Sequence, residues 1–272
     1  MLVKRNENTA ELVGLSFGDG GLTYRKDSNR VKFQLRGDLS EEKENYDSYI
    51  IPLFNQEVMQ PLFRRDVGIV YNKRMNFYGL STEGVRIEKP LNFLGIPSGV
   101  KDELTIPRWI KKNKTYCTNF LRGFFDSDGS VFCQKNYSIK NNTLHTQIRI
   151  YLVSTSRFLI NDIFAILKKR GFKCLKEEKN PKESYPDGYT RKKSYRLKIC
   201  GGIQVNKWFN EIGSRSKKHL TKYNIWKKFG FCPPRTKLKD RKKILKNKVC
   251  PYTYYKRKCQ SGQMDDVKAV VA

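Results

Sequence analysis

Apolar and polar residues alternate in several stretches of this chain. Arg30-Val31-Lys32-Phe33-Gln34-Leu35-Arg36 has an apolar residue at every second position, the period of a half-buried strand. The same alternation runs through Arg74–Leu80, Gln147–Val153 and Tyr195–Cys200. Val67–Tyr71, Gly129–Lys135 and Phe172–Glu177 are their expected strand partners. Between these stretches the spacing becomes helical. Tyr46 to Phe63 carries Tyr49, Ile50, Leu53 and Phe54 on one face. Ser81 to Phe93 is predicted helical and ended by Gly95, with Pro90 set against its later part. Ser154 or Thr155 would N-cap a helix bearing Phe158, Leu159, Ile163, Phe164 and Leu167, closed by Gly171. Val205–Ile212 and Leu220–Phe229 read as two more helices, and residues 179–193, rich in Pro, Gly, Lys and Glu, as a long loop.

These elements form an internal repeat. Leu12-Val13-Gly14-Leu15-Ser16-Phe17-Gly18-Asp19-Gly20 aligns with Leu121-Arg122-Gly123-Phe124-Phe125-Asp126-Ser127-Asp128-Gly129, 109 residues later. A period this long exceeds a solenoid unit and implies two domain-sized halves. Each half reads helix, two strands, helix, two strands, helix, an α+β pattern of two αββαββα units. The expected boundaries are 1–113 for the first half, 114–232 for the second and 233–272 for a basic tail that begins at Pro233-Pro234.

Composition narrows the function. Lys and Arg number 55 against 26 Asp and Glu, a net charge of +29 that points to a polyanion, with nucleic acid as the default partner. With 34 aromatic residues and 38% apolar residues the chain can bury a core. No apolar run reaches the roughly 20 residues of a membrane span, so no membrane partner is expected. Two His are too few for a His-rich metal site. Seven irregularly spaced Cys suggest a reducing compartment with access to DNA, cytoplasmic or other, rather than secretion. Cys232, Cys250 and Cys259 with His219 match no standard zinc spacing, so free thiols are expected. Met1 at the start and Val-Val-Ala at the end, without a splicing nucleophile or terminal Asn, suggest a free-standing product rather than a segment spliced from a host. Residues 235–258 hold 11 Lys or Arg against Asp240 alone, so that stretch is either a basic arm on nucleic acid or a poorly ordered tail.

The repeated motif carries the candidate chemistry. Gly14 and Gly18, like Gly123 and Ser127, are small residues four apart, which lets two helices approach closely along one face. Asp19 and Asp128 would then lie side by side at the helix C-termini, with the following Gly suited to a C-cap. Paired carboxylates repel, and a helix C-terminus disfavours an anion. A bound cation resolves both, and oxygen donors suit Mg²⁺, with Mn²⁺ as a substitute. Metal-assisted phosphodiester hydrolysis follows.

The motifs LVGLSFGDG at 12–20 and LRGFFDSDG at 121–129 resemble those of the LAGLIDADG homing endonucleases in their monomeric, two-motif form. The resemblance covers about residues 8–230. It implies two pseudo-symmetric halves joined at the motif helices, with two antiparallel sheets forming a saddle over the DNA major groove. It implies a double-strand break at a long target site, leaving short 3′ overhangs. By position it makes Asp19 and Asp128 the metal-binding acids, with Gly18 and Ser127 beside them. One position departs from the repeat: Phe17 stands where the second copy has Asp126, which puts the symmetry of the helix packing in question. The resemblance also implies a basic residue at each centre. Lys101 is the candidate in the first half, and Lys217 or Lys218 in the second, the register between them being open. His219 is expected to serve packing or phosphate contact.

The polar strand faces are the expected DNA readers: Arg30, Lys32, Gln34 and Arg36; Arg74 and Asn76; Gln147, Arg149 and Tyr151; Arg196 and Lys198. Arg and Gln offer bidentate contacts to guanine and adenine edges, and no carboxylate interrupts these sets. Two rival readings share the fold: an intron-encoded maturase that binds intron RNA without cutting DNA, and a transcription regulator on a degenerate copy. Two intact acids favour the nuclease. A PD-(D/E)xK nuclease is disfavoured, because no Glu-x-Lys follows Pro186-Asp187.

Overall fold

In the computed structural model residues 3–25, 30–84, 86–138, 143–181 and 192–258 are described; for 134–138, 143–146 and 255–258 only the backbone is. Cys259, residues 182–191 of the expected loop and the end of the tail, 259–272, lie outside the described residues.

Asn6 starts the first motif helix, α1 (Glu7–Gly18), by accepting from the Thr9 backbone N–H while Thr9 answers with its hydroxyl. A hairpin follows, β1 (Gly20–Arg25) and β2 (Arg30–Asp38). Asp38 then caps α2 (Leu39–Asn45), accepting from the N–H groups of Ser40 and Glu41. The helix therefore begins seven residues before the expected Tyr46, because Asp38-Leu39-Ser40-Glu41-Glu42 is a capping sequence that apolar spacing alone does not reveal. It runs on through a π turn at Tyr46–Ile50, α3 (Ile51–Phe54), a second π turn at Asn55–Met59 and α4 (Gln60–Phe63). Pro52 and Pro61 each follow a π turn, which relieves the clash a proline ring makes with an α-helical backbone.

The strands β3 (Gly68–Asn72) and β4 (Phe77–Glu83) complete the first sheet in the order β1-β2-β4-β3. Two expectations fail here. Arg74 and Asn76 do not lie on a strand. They occupy the β3–β4 turn, where Asn76 takes a left-handed conformation (φ 52°) and donates to Asp38 at 2.6 Å. Ser81–Glu83, expected to be helical, belongs to β4, and the helix is the shorter α5 (Glu88–Leu94), closed by Gly95 at φ 94°. Pairing of Ser81, Thr82 and Glu83 with Gln34, Phe33 and Lys32 of β2 outweighed the helical spacing.

After a short helix, α6 (Arg108–Lys111), the second half repeats the plan: α7 (Lys114–Asp128), β5 (Gly129–Ser138), β6 (Thr143–Ser154), α8 (Arg157–Lys169), β7 (Cys174–Lys179), β8 (Ser194–Cys200) and α9 (Gly202–Glu211). Its sheet runs β5-β6-β8-β7, the same order as the first. The cap of α8 is Ser156, whose hydroxyl accepts from Leu159 N–H, rather than Ser154 or Thr155. Two helices follow, α10 (Lys217–Phe229) and α11 (Leu238–Leu245). The chain is thus α+β, two αββαββα halves with a sheet each.

The basic stretch after Pro234 is not free through residue 254. Ile244 is buried with Ile225 of α10 and Cys232. Arg241, 1% exposed, donates to Thr221 at 2.9 Å, to the Thr236 carbonyl and to Glu41 of α2. Among the described residues no helix is long and apolar enough to cross a membrane.

Candidate active site

The small residues of the motif helices bring α1 and α7 into backbone contact. A Cβ on Gly14 would stand 2.2 Å from the Phe120 carbonyl oxygen, and one on Gly123 would stand 2.2 Å from that of Glu11. Further down, a Cβ on Gly18 would meet Ser127 Oγ at 2.1 Å and the Asp128 nitrogen at 3.0 Å. The pairing is symmetric despite Phe17 and Asp126. Phe17 packs edge-on against Phe120, whereas Asp126 is buried and accepts from Ser214 Oγ at 2.5 Å and Arg215 N–H at 2.7 Å. Burial pushes the Asp126 carboxyl up to about 7. Glu11, 1% exposed, accepts from Arg122 at 3.2 Å and from Arg215 at 2.9 Å, tying the halves by charge as well as shape.

The seam delivers Asp19 and Asp128 to adjoining positions, as the repeat requires. Gly20 and Gly129 are needed there for closeness rather than for a left-handed C-cap: their Cβ atoms would stand 2.6 Å from Ser16 Cα and 2.3 Å from the Phe125 carbonyl oxygen. Neither has positive φ. Asp19 is half-buried, and desolvation, Glu42 and Asp128 push its carboxyl up to about 8. Asp128 opens to solvent on one side while protein crowds the other. Desolvation raises it to about 6, against the opposing charges of Lys101 and Lys218. Two neighbouring carboxylates that resist ionisation form a donor pair that a divalent cation would relieve. Among the described residues no third acid, His or Cys completes a metal-binding cluster with them.

Lys101 reaches this point from the loop after α5. Its ammonium donates to the carbonyls of Ser16, Phe17 and Gly18 at 3.1, 3.1 and 2.5 Å, capping the C-terminus of α1. Burial lowers its pKa, with Asp128 and Asp19 opposing. The Gly18 carbonyl is therefore already occupied, and the Ser127 hydroxyl donates to Gly123 and Phe124 within α7. In the second half the two lysines part. Lys218 points to the centre, where it donates to Glu42 at 2.9 Å and its charge acts on Asp19. Lys217 turns to Glu44, which also pairs with Lys242. His219 is fully buried with its ring stacked 4.4 Å from that of Phe125, a packing role. Cys232 is buried beside the Cys133 thiol, and among the described residues no cluster of His, Cys and acids suited to a metal ion includes it or His219.

The sheets present the expected faces. Val31, Phe33 and Leu35 are buried, while Arg30, Lys32, Gln34 and Arg36 alternate with them on the open face. On the second sheet Ile148, Ile150 and Leu152 are buried, and Gln147, Arg149 and Tyr151 face outward. Arg149 donates to Gln147 at 2.6 Å, and Arg196 lies over the Tyr151 ring at 4.5 Å. The faces are not free of carboxylates. Glu177 on β7 holds Lys198 at 2.9 Å and Arg196 at 3.0 Å, and Glu83 stands opposite Lys32 in the β2–β4 register. Glu42, Glu83 and Glu177 escaped sequence reasoning. For Glu42 the available signal was an acidic turn, Leu39-Ser40-Glu41-Glu42, in an otherwise basic chain.

The sequence pattern of the LAGLIDADG-like domain matches residues 115–213. Two curated proteins share shorter stretches. The replication factor C small subunit of Methanocaldococcus jannaschii is 29% identical over 170 residues, 59% of this chain. The tRNA-splicing ligase RtcB of Methanopyrus kandleri is 30% identical over 124 residues, 44% of this chain. The chain spans 8% and 12% of the length of these two relatives. Among solved structures, two point mutants of I-SmaMI superpose with TM-scores of 0.54 and 0.52 at 10% and 11% identity. They cover 96% and 93% of this chain, and 100% and 99% of their own. The LAGLIDADG homing endonuclease I-GzeII in complex with a DNA target gives 0.49 at 11% identity, covering 94% of this chain and 97% of its own. Residues 115–213 thus match the pattern of a LAGLIDADG-like domain, and the chain as a whole has the fold of the I-SmaMI structures.

Proposed function

We propose that this protein is a site-specific DNA endonuclease that makes a double-strand break by divalent-metal-dependent phosphodiester hydrolysis. The observation that carries the reading is the pair Asp19 and Asp128, brought together by glycine-packed helices between two sheets with basic outer faces.

Asp19 and Asp128 would hold Mg²⁺, or Mn²⁺ in its place. Gly18 would add its carbonyl only by sharing it with Lys101, and Ser127 only through its backbone. When bound, the ion supplies Lewis-acid polarisation and positive charge at the scissile phosphate. Lys101 and Lys218 place one ammonium from each half beside the two acids, where they would stabilise charge as it develops on the phosphoryl oxygens. Lys217, committed to Glu44, is the weaker candidate. Arg30, Lys32, Gln34, Arg36, Gln147, Arg149, Tyr151, Arg196 and Lys198 would read bases or hold phosphates. Arg74 and Asn76, on a turn, would reach backbone rather than base edges. A single chain holding both centres would work as a monomer and leave short 3′ overhangs.

The test is cleavage of a randomised plasmid library in Mg²⁺ and in EDTA. Selective cutting of related sites in Mg²⁺ alone is expected. Asp19→Asn and Asp128→Asn should each abolish double-strand cleavage while target binding survives. If both variants still linearise the selected target, the site assignment is wrong. Tight intron RNA binding with no DNA cleavage would replace the nuclease by the maturase.

A further inference from the structure

The two lysines at the centre are held in unlike ways. Lys101 is anchored within its own half, by the last carbonyls of α1. Lys218 is anchored across the pseudo-symmetry, by a carboxylate of the first half: Glu42 Oε1 accepts from its ammonium at 2.9 Å. Glu42 is itself rigidly placed. It is 6% exposed, and its other oxygen, Oε2, accepts from the Asp38 N–H at 2.8 Å. The strand end beside it is Gly37, where a Cβ would stand 2.6 Å from Oε2, so the backbone leaves room for the carboxylate and for little else. Glu42 is not a third ligand, because it does not converge with Asp19 and Asp128 on one cation-sized point.

We propose that Glu42 is a positioning residue of the second centre, fixing the Lys218 ammonium from the opposite half so that one of the two DNA strands depends on an inter-half contact for its cleavage. The proposal rests on the nuclease reading of Lys218, with each of the two centres cutting one strand. A buried ion pair with one fixed partner orients the other, and loss of that partner frees a four-carbon side chain to leave the phosphate. Lys101 has no such dependence, since three backbone carbonyls hold it. The two strands should therefore respond differently to the same substitution. Strand order of cleavage would be written in the fold rather than in the DNA alone.

The experiment follows both strands of a selected target, each end-labelled, with Glu42→Gln in the full chain and Mg²⁺ present. The amide keeps an oxygen for the Asp38 N–H and loses the charge that holds Lys218. Cleavage of one strand is expected to slow tenfold or more while the other changes less than twofold, so nicked plasmid accumulates. Affinity for the uncut target in EDTA should stay within twofold of wild type. In a Lys218→Met background Glu42→Gln should cause no further loss on the slow strand. Equal slowing of both strands, or a further loss in the Lys218→Met background, would overturn the proposal. So would a comparable strand bias from Glu44→Gln, whose partners are Lys217 and Lys242 rather than Lys218. A wild-type protein that cuts no site in Mg²⁺ removes the nuclease reading itself, and this proposal with it, which separates the two failures.

Discussion

Gly123 rests on the backbone of Glu11: a Cβ there would stand 2.2 Å from the Glu11 carbonyl oxygen, and Gly14 meets Phe120 at the same distance from the other side. Neither contact can relax by moving a side chain, because both partners are helix backbone. Gly123→Ala and Gly14→Ala should each force α1 and α7 apart and cost at least about 1–3 kcal/mol. For a chain this size, that lowers the melting temperature by about 2–4 °C per kcal/mol. Gly21→Ala is the control, since nothing lies within 4 Å of its Cβ position. If all three variants melt together, the helices do not pack as described.

The acid pair makes metal-free stability depend on pH. The Asp19 and Asp128 carboxyls, at about 8 and about 6, lie above the ordinary value of 3.8. The unfolded chain therefore gives up these protons first, and stability falls as pH rises from about 4 to about 8. In EDTA at pH 8, Asp19→Asn should melt higher than wild type, and near pH 4 the two should agree. Mg²⁺ at pH 8 should raise the wild-type melting temperature and leave the Asp19→Asn/Asp128→Asn double variant unmoved. Asp126, raised to about 7, adds to the same slope, so a wild-type curve flat from pH 4 to 8 would contradict all three raised carboxyls, and an Asp19→Asn curve that follows the wild type would contradict that of Asp19.

Much of this site is legible in the sequence. The repeat placed Asp19 and Asp128, because small residues at i and i+4 leave few ways to pack two helices. The alternation in residues 30–36 set which face of β2 is open and which is buried, because a period of two has only two faces to assign. What stayed hidden depends on contacts remote in sequence. The choice between Lys217 and Lys218 turns on Glu42 and Glu44, more than 170 residues away. The carboxylate of Glu177 joins the face of Arg196 and Lys198 only through strand pairing. Arg74 and Asn76 alternate correctly yet sit on a turn, since alternation does not mark where a hairpin reverses.

DNA affinity should fall steeply with salt. Each phosphate contact contributes about −0.9 to the slope of log K against log salt. Lys32→Ala should reduce that slope by about one contact and weaken binding evenly across sequences. Gln34→Ala, if Gln34 reads an adenine edge, should instead relax preference at one position by about 1–3 kcal/mol and leave the slope alone. Glu177→Gln should strengthen binding, because it releases Arg196 and Lys198 from their carboxylate. Competition binding at several salt concentrations measures all three. Weaker binding by Glu177→Gln would mean that those cations do not face DNA.

The tail segment offers a test of how the halves are locked. Arg241 is 1% exposed and joins Glu41 of the first half to Thr221 of the second and to Thr236 of the tail segment. The Leu238 N–H adds a bond to Glu41 at 2.8 Å. Removing one partner of a buried pair leaves the other charge without compensation, so Arg241→Ala should cost about 3–5 kcal/mol in urea unfolding. Glu41→Gln with Arg241→Leu removes both charges and should recover part of that loss. Truncation after Pro233 removes Ile244 and its packing against Ile225 as well, and should destabilise the chain further. If Arg241→Ala unfolds at the wild-type urea midpoint, the segment after Pro234 is not docked in solution, and its charge would be free to act as the arm on nucleic acid that its composition suggests.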